Sequence, residues 1–217
     1  MFLILLSKLW IGFLKTLEIF GLTLVLATPL GFIVCFGSMS KFKPLRWLVR
    51  GFVWVIRGTP LMLQLLLVCY GPGLIGLVPI REPMIAVIIA FAINYACYFS
   101  EIYRSGIEGV PIGQYEAAKV LNINKSQTFF RVILPQVVKR IVPPMSNEII
   151  TLVKDTSLAN TIAVIEIIRV AKNFTGTYAV NIMIPLLVAG IFYLIFIGIL
   201  TGLFNFIEKK MSYYKIV

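Results

Sequence analysis

Four ionisable side chains in stretches long enough to cross a membrane are candidates for a function. Arg57 lies in the stretch 47–70, and Glu148, Lys154 and Asp155 lie in a later one, PQVVKRIVPPMSNEIITLVKD. A charge at the centre of a membrane helix costs about 2.5–3.5 kcal/mol or more, so such residues usually face protein or a water-filled path. A carboxylate at that depth binds a cationic group, and a guanidinium binds a carboxylate. The pattern predicts a binding path for a small charged solute, with a salt bridge from Glu148 to Arg57 or Lys154 as the alternative.

Uncharged polar residues in the same stretches add hydrogen-bonding capacity. Asn94 and Tyr95 are predicted to bond across helices, and Asn94 and Ser146 are also candidate substrate contacts. The chain has no histidine, and its three cysteines show no CxxC spacing. We therefore expect no catalytic residue and no metal site. A role in binding or transport follows.

Composition fixes the class of protein. Of 217 residues, 59% are hydrophobic and 13% charged, with a mean hydropathy of +0.96. Soluble domains carry about 25% charged residues. We predict an all-α integral membrane protein with one domain over residues 1–217. In such a protein the placement of the +11 net charge matters more than its sum, so it does not indicate nucleic-acid binding.

Hydrophobic stretches of roughly 20 residues predict the membrane spans. The fourth stretch is awkward because it contains Lys139, Arg140, Pro143 and Pro144, and hydropathy alone would reject it. It is retained because basic segments lie on the cytoplasmic side of a membrane. The segment after the first span and the segment after the last span are both basic, and both can be cytoplasmic only if the number of spans is odd. The predicted spans are 10–37, 47–70, 83–103, 135–154 and 179–207.

Charge counts give the orientation. Segments 41–50, 104–140 and 209–215 hold 13 Lys and Arg residues, whereas the opposite side holds four. The N-terminus is therefore predicted outside and the C-terminus in the cytoplasm. Lys15 and Glu18 interrupt the first apolar stretch, so we expect a surface ion pair and not a cleaved signal peptide.

The predicted cytoplasmic loop 105–134 is the longest part that does not resemble membrane. Its residues from Gln114 to Leu121 favour a helix, and Asn122 is expected to end it in the left-handed conformation. A second short helix is predicted from Lys125 to Ile133, ending at Leu134-Pro135. Two short helices without a lipid-length apolar face are suited to docking into a groove of another protein.

This loop resembles the EAA loop of importer-type ABC permeases, which docks into the ATPase subunit. The matching residues are Glu116, Ala117, Ala118, Leu134 and Pro135, and Asn122 stands where the family usually has glycine. Four stretches look like the polar amino-acid permeases of that superfamily: RGTPLMLQ (57–64), SEIYRSGIEGVPIGQYEAAKVL (100–121), SQTFFRVILPQ (126–136) and LVKDTSLA (152–159).

The resemblance implies a type I ABC importer permease fold in a bacterial cytoplasmic membrane. It also implies a second permease subunit (an identical copy or a close homologue), two ATP-binding subunits and an external amino-acid-binding protein. The sequence contains no GxxxxGK[ST] motif, so ATP and Mg²⁺ would be bound by the ATPase partner and no cofactor by this chain.

The Ser146-Asn147-Glu148 pattern resembles the one found at this place in permeases for basic amino acids. We predict that Glu148 binds the cationic side chain of the substrate and Arg57 its α-carboxylate, with Asp155 near the outer end of the path. Three alternatives stay open. One is a permease for glutamine or another polar amino acid, the second is an ion-coupled secondary transporter using Glu148 and Asp155, and the third is a membrane anchor without transport.

Overall fold

The computed structural model describes residues 1–211, and Lys215, counted above toward the inner side, lies outside the described residues. The chain forms a π-helical turn at Thr128–Ile133 and a 3₁₀-helix at Thr156–Ile162. Within this range the α-helices are α1 (Phe2–Ser38), α2 (Lys43–Arg57), α3 (Leu61–Leu74), α4 (Pro83–Glu108), α5 (Ile112–Val120), α6 (Lys125–Gln127), α7 (Leu134–Asp155), α8 (Ile167–Tyr178) and α9 (Met183–Met211).

Three of these helices are long and apolar enough to cross a membrane. They are α1, α4 and α9. Helices α2 and α3 pass the same test only as a pair, bent by 104°. Counting that pair as one broken span gives four candidate spans in the described residues. The all-helical membrane class is confirmed, and the count of five stays a prediction because α7 carries charges.

Helix α4 forms the centre of the core, and α1 packs along it. At Gly31 of α1 a Cβ atom would lie 2.9 Å from Cβ of Phe99, so the two backbones approach closely. One residue later, the Phe32 ring stacks on Tyr103 with ring centroids 4.0 Å apart. These contacts bring the last turns of α1 and α4 to the same end of the molecule.

The bend between α2 and α3 arises at Gly58, Thr59 and Pro60. Gly58 ends α2, and Pro60, which has no N–H and an extended ψ of 134°, precedes α3. The sequence Arg-Gly-Thr-Pro permits this break, and backbone groups freed by it can line a cavity.

The predicted end of a helix at Leu134-Pro135 is wrong. The chain stays helical from α6 through the π turn into α7, and Pro135 lies in the first turn of α7. In a regular α-helix the Pro135 ring would clash with the carbonyl four residues earlier. The wider π turn directly before it removes that conflict.

Helix α8 has no counterpart among the sequence predictions. Its N-terminus is capped by the buried carboxylate of Glu166, which accepts hydrogen bonds from the backbone N–H groups of Ile168 (2.8 Å) and Arg169 (2.7 Å). Helix α8 packs with the first half of α1 and with α9. In the same cluster Phe13 of α1 contacts Phe192 of α9, with 5.4 Å between the ring centroids.

Candidate functional site

A cleft of about 420 Å³ lies between the start of α3, the middle of α4 and the second half of α7. Ligand pockets typically measure about 300–1,000 Å³, so this one suits a small molecule. It contains three of the predicted substrate-binding residues, namely Asn94, Glu148 and Asp155. The polar side chains that line it include those of Thr59, Asn94, Tyr98, Glu148, Thr151 and Asp155.

Two carboxylates give the cleft its charge. Glu148 and Asp155 are seven residues apart on α7, which is two turns or about 10 Å along the axis. Both are half-buried, and the Tyr95 hydroxyl on α4 donates a hydrogen bond to Asp155 (2.8 Å). No ion pair joins either carboxylate to a residue within 1–211, so the salt-bridge alternative for Glu148 is not formed in this structure.

The wall at the α2–α3 bend is held by Gln64, a residue that the sequence analysis missed. Its Nε2 donates to the Ile56 carbonyl (2.7 Å), the Thr59 carbonyl (3.1 Å) and the Thr59 hydroxyl (2.8 Å). Its Oε1 accepts a hydrogen bond from Asn94 Nδ2 on α4 (2.9 Å). Gln64 therefore satisfies backbone groups freed by the bend, and the expected cross-helix bonds of Asn94 and Tyr95 are present. A glutamine inside an apolar stretch was the signal in the sequence.

Arg57 lies beside the cleft and not among the residues that line it. Its guanidinium carbon lies 5.0 Å from the Tyr98 ring centroid, and Nη1 lies 3.7 Å from the Glu101 carboxylate. Tyr98, which lines the cleft, thus stands between the cleft and Arg57.

Ser146 lies apart from the cleft. Its side chain is buried, and Oγ is 2.7 Å from the Pro143 carbonyl and 3.0 Å from Glu208 Oε1 on α9. Ser146 therefore joins α7 to α9 in this structure, and the cleft contains three of the five predicted substrate residues.

The loop predicted to contact another protein forms a separate site. Asn122 has a φ of 53°, and the backbone N–H groups of Asn122 and Ile123 bond to the carbonyls of Lys119 and Ala118, both at 3.0 Å. This pattern is a Schellman motif, and it confirms the predicted left-handed end of the helix. Beside it lies a surface groove of about 530 Å³, lined in part by Tyr115, Lys119 and Phe129.

The predicted loop residues divide into exposed and packed positions. Ala118 is buried and Leu134 half-buried, so these two hold the loop together. The exposed residues, available to another protein, are Glu116, Ala117, Asn122 and Pro135. Residues 1–211 contain no group of three or more His, Cys, Asp or Glu side chains that could hold a metal ion.

Known proteins resemble the chain over most of its length. The profile of the family described as "Binding-protein-dependent transport system inner membrane component" matches residues 27–213. The L-cystine transport system permease protein TcyB of Bacillus subtilis is 38% identical over 90% of this chain and 80% of its own length. The arginine transport system permease protein ArtQ of the same species is 34% identical, covering 93% of this chain and 91% of its own. Among solved structures, an amino acid ABC transporter with histidines superposes with a TM-score of 0.84 at 30% identity, over 94% of each chain.

Proposed function

Since the chain belongs to the family of inner membrane components of binding-protein-dependent transport systems, and is a permease subunit of an amino-acid ABC transporter, we propose that it carries basic amino acids: arginine, lysine or histidine. The observation that carries this proposal is the pair of carboxylates, Glu148 and Asp155, that face one cleft and form no ion pair with a residue within 1–211.

The two carboxylates suit a ligand with two cationic groups. Glu148 binds the charged side chain of the substrate, and Asp155, held by Tyr95, faces its α-ammonium group. In an extended arginine or lysine the α-ammonium group and the side-chain cation lie at opposite ends of the molecule. The two carboxylates are likewise separated, by two turns of α7. Asn94 and Thr59 supply uncharged hydrogen-bonding groups. Arg57 remains the proposed partner of the α-carboxylate, which it would reach by turning past Tyr98.

The same proposal includes the topology and the assembly. Helix α7 is the fourth of five spans, the N-terminus lies outside, and the ends of α1, α4 and α9 lie at the cytoplasmic face of a bacterial plasma membrane. The loop 105–134, through Glu116, Ala117 and the Asn122 turn, docks on an ATPase subunit that binds ATP and Mg²⁺. A second permease subunit and an external binding protein complete the transporter.

The test is the ATPase activity of the reconstituted complex against a panel of amino acids. We expect stimulation by arginine, lysine or histidine in the wild type and its loss in Glu148→Gln. The matched control is Glu18→Gln, which neutralises an exposed carboxylate of α1 paired with Lys15 (2.7 Å) and far from the cleft in sequence. Stimulation by neutral amino acids alone, or an unchanged Glu148→Gln, would contradict the basic-substrate proposal.

A second candidate substrate is a neutral polar amino acid such as cystine or glutamine. The uncharged groups of Thr59, Asn94 and Tyr98 in the same cleft favour it, and the same amino-acid panel distinguishes it. Membership of the family argues against the ion-coupled transporter and the non-transporting anchor.

A further inference from the structure

A second cavity, of about 220 Å³, lies between α2 and α4 and is separate from the substrate cleft. Three arginines line it, Arg50, Arg57 and Arg104, against a single carboxylate, that of Glu101. Arg104 is paired with Glu101 and Glu108 (both 2.6 Å), and Arg57 lies 3.7 Å from Glu101. The cavity therefore has an excess of positive charge.

Arg50 is the cation in this cavity without a carboxylate partner. No ion pair joins it to an acidic residue of the described chain. Its Nε donates to the Ser38 carbonyl (3.2 Å), which fixes the side chain, and no described residue accepts a hydrogen bond from its terminal NH₂ groups. A guanidinium held this way can offer two N–H groups to an anion, the geometry that favours phosphate.

The position of the cavity suits the headgroup layer of a membrane. Ser38 is the last residue of α1, and Arg104 lies one turn before the end of α4. Helix α2 itself is amphipathic, with a basic stripe formed by Lys43, Arg46, Arg50 and Arg57. Arg50 and Arg57 of this stripe line the cavity.

An exposed apolar surface adjoins the cavity. Trp54, which lines it, is 77% exposed, and Trp47 is 78% exposed one heptad earlier on α2. A soluble phosphate would make no contact with this apolar surface, whereas a lipid acyl chain would pack against it. Tryptophans are also typical of the interface between lipid and water.

We propose that this cavity binds the phosphate of an anionic glycerophospholipid from the cytoplasmic leaflet, held by Arg50 in the excess positive charge that Arg57 and Arg104 add, with an acyl chain along Trp54 and Trp47. Basic pockets between membrane helices on the cytoplasmic side are a recognised mode of anionic lipid binding. Its place in the cytoplasmic leaflet rests on the proposed topology, and Arg57 lines this cavity as well as being the proposed partner of the substrate carboxylate. Glu148 and Asp155 take no part in it, so a test on Arg50 and the substrate test on Glu148 can fail separately.

The experiment uses the purified complex of permease and ATPase subunits in detergent. It is equilibrated with equal amounts of phosphatidylglycerol and phosphatidylcholine, and bound lipid is measured by native mass spectrometry. We expect preferential retention of phosphatidylglycerol, and about tenfold weaker retention in Arg50→Gln, because that variant loses a charge-assisted contact to the phosphate. Arg50→Lys, which keeps the charge, should retain more lipid than Arg50→Gln.

The matched control is Arg46→Gln, which removes a charge one turn earlier on the same stripe but outside the cavity. The Arg46→Gln complex should retain as much phosphatidylglycerol as the wild type. Equal losses of bound lipid in Arg46→Gln and Arg50→Gln would show that the lipid is attracted by the basic surface in general and not by this cavity. Displacement of the lipid by inorganic phosphate would show that the cavity binds a soluble anion. If the wild-type complex shows no preference for phosphatidylglycerol, the proposal is overturned without any variant.

Discussion

Gln64 holds the bend between α2 and α3 together, and replacing it by methionine tests that role. Methionine has a similar length and flexibility but none of the hydrogen-bonding groups. The variant loses three donor contacts, to the Ile56 carbonyl and to the carbonyl and hydroxyl of Thr59, and the acceptor for Asn94. Gln64 is 8% exposed and Asn94 4% exposed, so water cannot fully replace these bonds.

The expected loss follows from the groups left without partners. Removing one partner of a buried hydrogen bond costs about 1–3 kcal/mol, whereas cross-helix bonds in membrane proteins average about 0.6 kcal/mol. For the two carbonyls and the Asn94 amide together we expect about 2–5 kcal/mol. At about 2–4 °C per kcal/mol for a chain of this size, the melting temperature should fall by about 4–20 °C.

A thiol-reactive fluorescent dye reports this unfolding directly, because Cys35, Cys69 and Cys97 are all buried. The purified permease is heated in detergent with the dye, and the midpoint of the fluorescence rise gives the melting temperature. Gln127→Met, at an exposed glutamine of α6, is the matched control and should melt with the wild type.

A double-mutant cycle separates the Gln64–Asn94 bond from the general effect of each substitution. Removing both partners leaves fewer buried groups unsatisfied, so Gln64→Met with Asn94→Leu should be more stable than the sum of the single losses predicts, by about 1 kcal/mol. Additive losses, or a Gln64→Met protein as stable as the wild type, would refute the assigned role of Gln64.

Three further outcomes are expected. Gly31→Ala should destabilise the protein by about 1–3 kcal/mol because its Cβ would meet Phe99 at 2.9 Å. Gly21→Ala on the same helix meets nothing within 4 Å and should melt at or slightly above the temperature of the wild type, because alanine favours the helix. Asn122→Val should lower substrate-stimulated ATPase activity, since a β-branched residue is strained at a φ of 53°, and Asn122→Gly should keep that activity. Burial raises the pKa of Glu166 from 4.5 to about 7, so its stabilising contribution is greatest below pH 4.5 and falls as the pH rises through 7. Relative to Glu166→Gln, the wild type should lose about 3 kcal/mol of stability between pH 4.5 and 8, measured as a difference in melting temperature. A difference that stays constant with pH would contradict the raised pKa of Glu166.

Local signals in the sequence predicted several features of both sites. The helix ended by Asn122, the Lys15–Glu18 pair and the break that Gly-Thr-Pro permits after Arg57 each depend on neighbours within a few residues. The charged residues of the fourth stretch likewise identified Glu148 and Asp155, which share one cleft.

Features that depend on distant parts of the chain were not predictable in the same way. Ser146 stands beside Glu148 in the sequence, but a helix turns neighbouring side chains to different faces, and Ser146 meets Glu208, 62 residues away. Arg57 pairs with Glu101 because α2 crosses α4, a packing that no local pattern encodes. Helix α8 was not predicted because the residue that caps its N-terminus, Glu166, is an uncommon N-cap and stands among apolar residues.

The charges of α7 have a consequence for how the protein is made. In the proposed topology α7 crosses the bilayer, yet it contains lysine, arginine and glutamate residues that each oppose insertion by the translocon. Helix α9 is the most apolar candidate span, and its Glu208 contacts Ser146 of α7. In that topology we expect stable integration of α7 to follow the synthesis of α9, because α7 packs between α9 and α4. Assembly of the helices would then be completed from the C-terminal end, with the carboxylates of Glu148 and Asp155 among the last groups to reach the cleft.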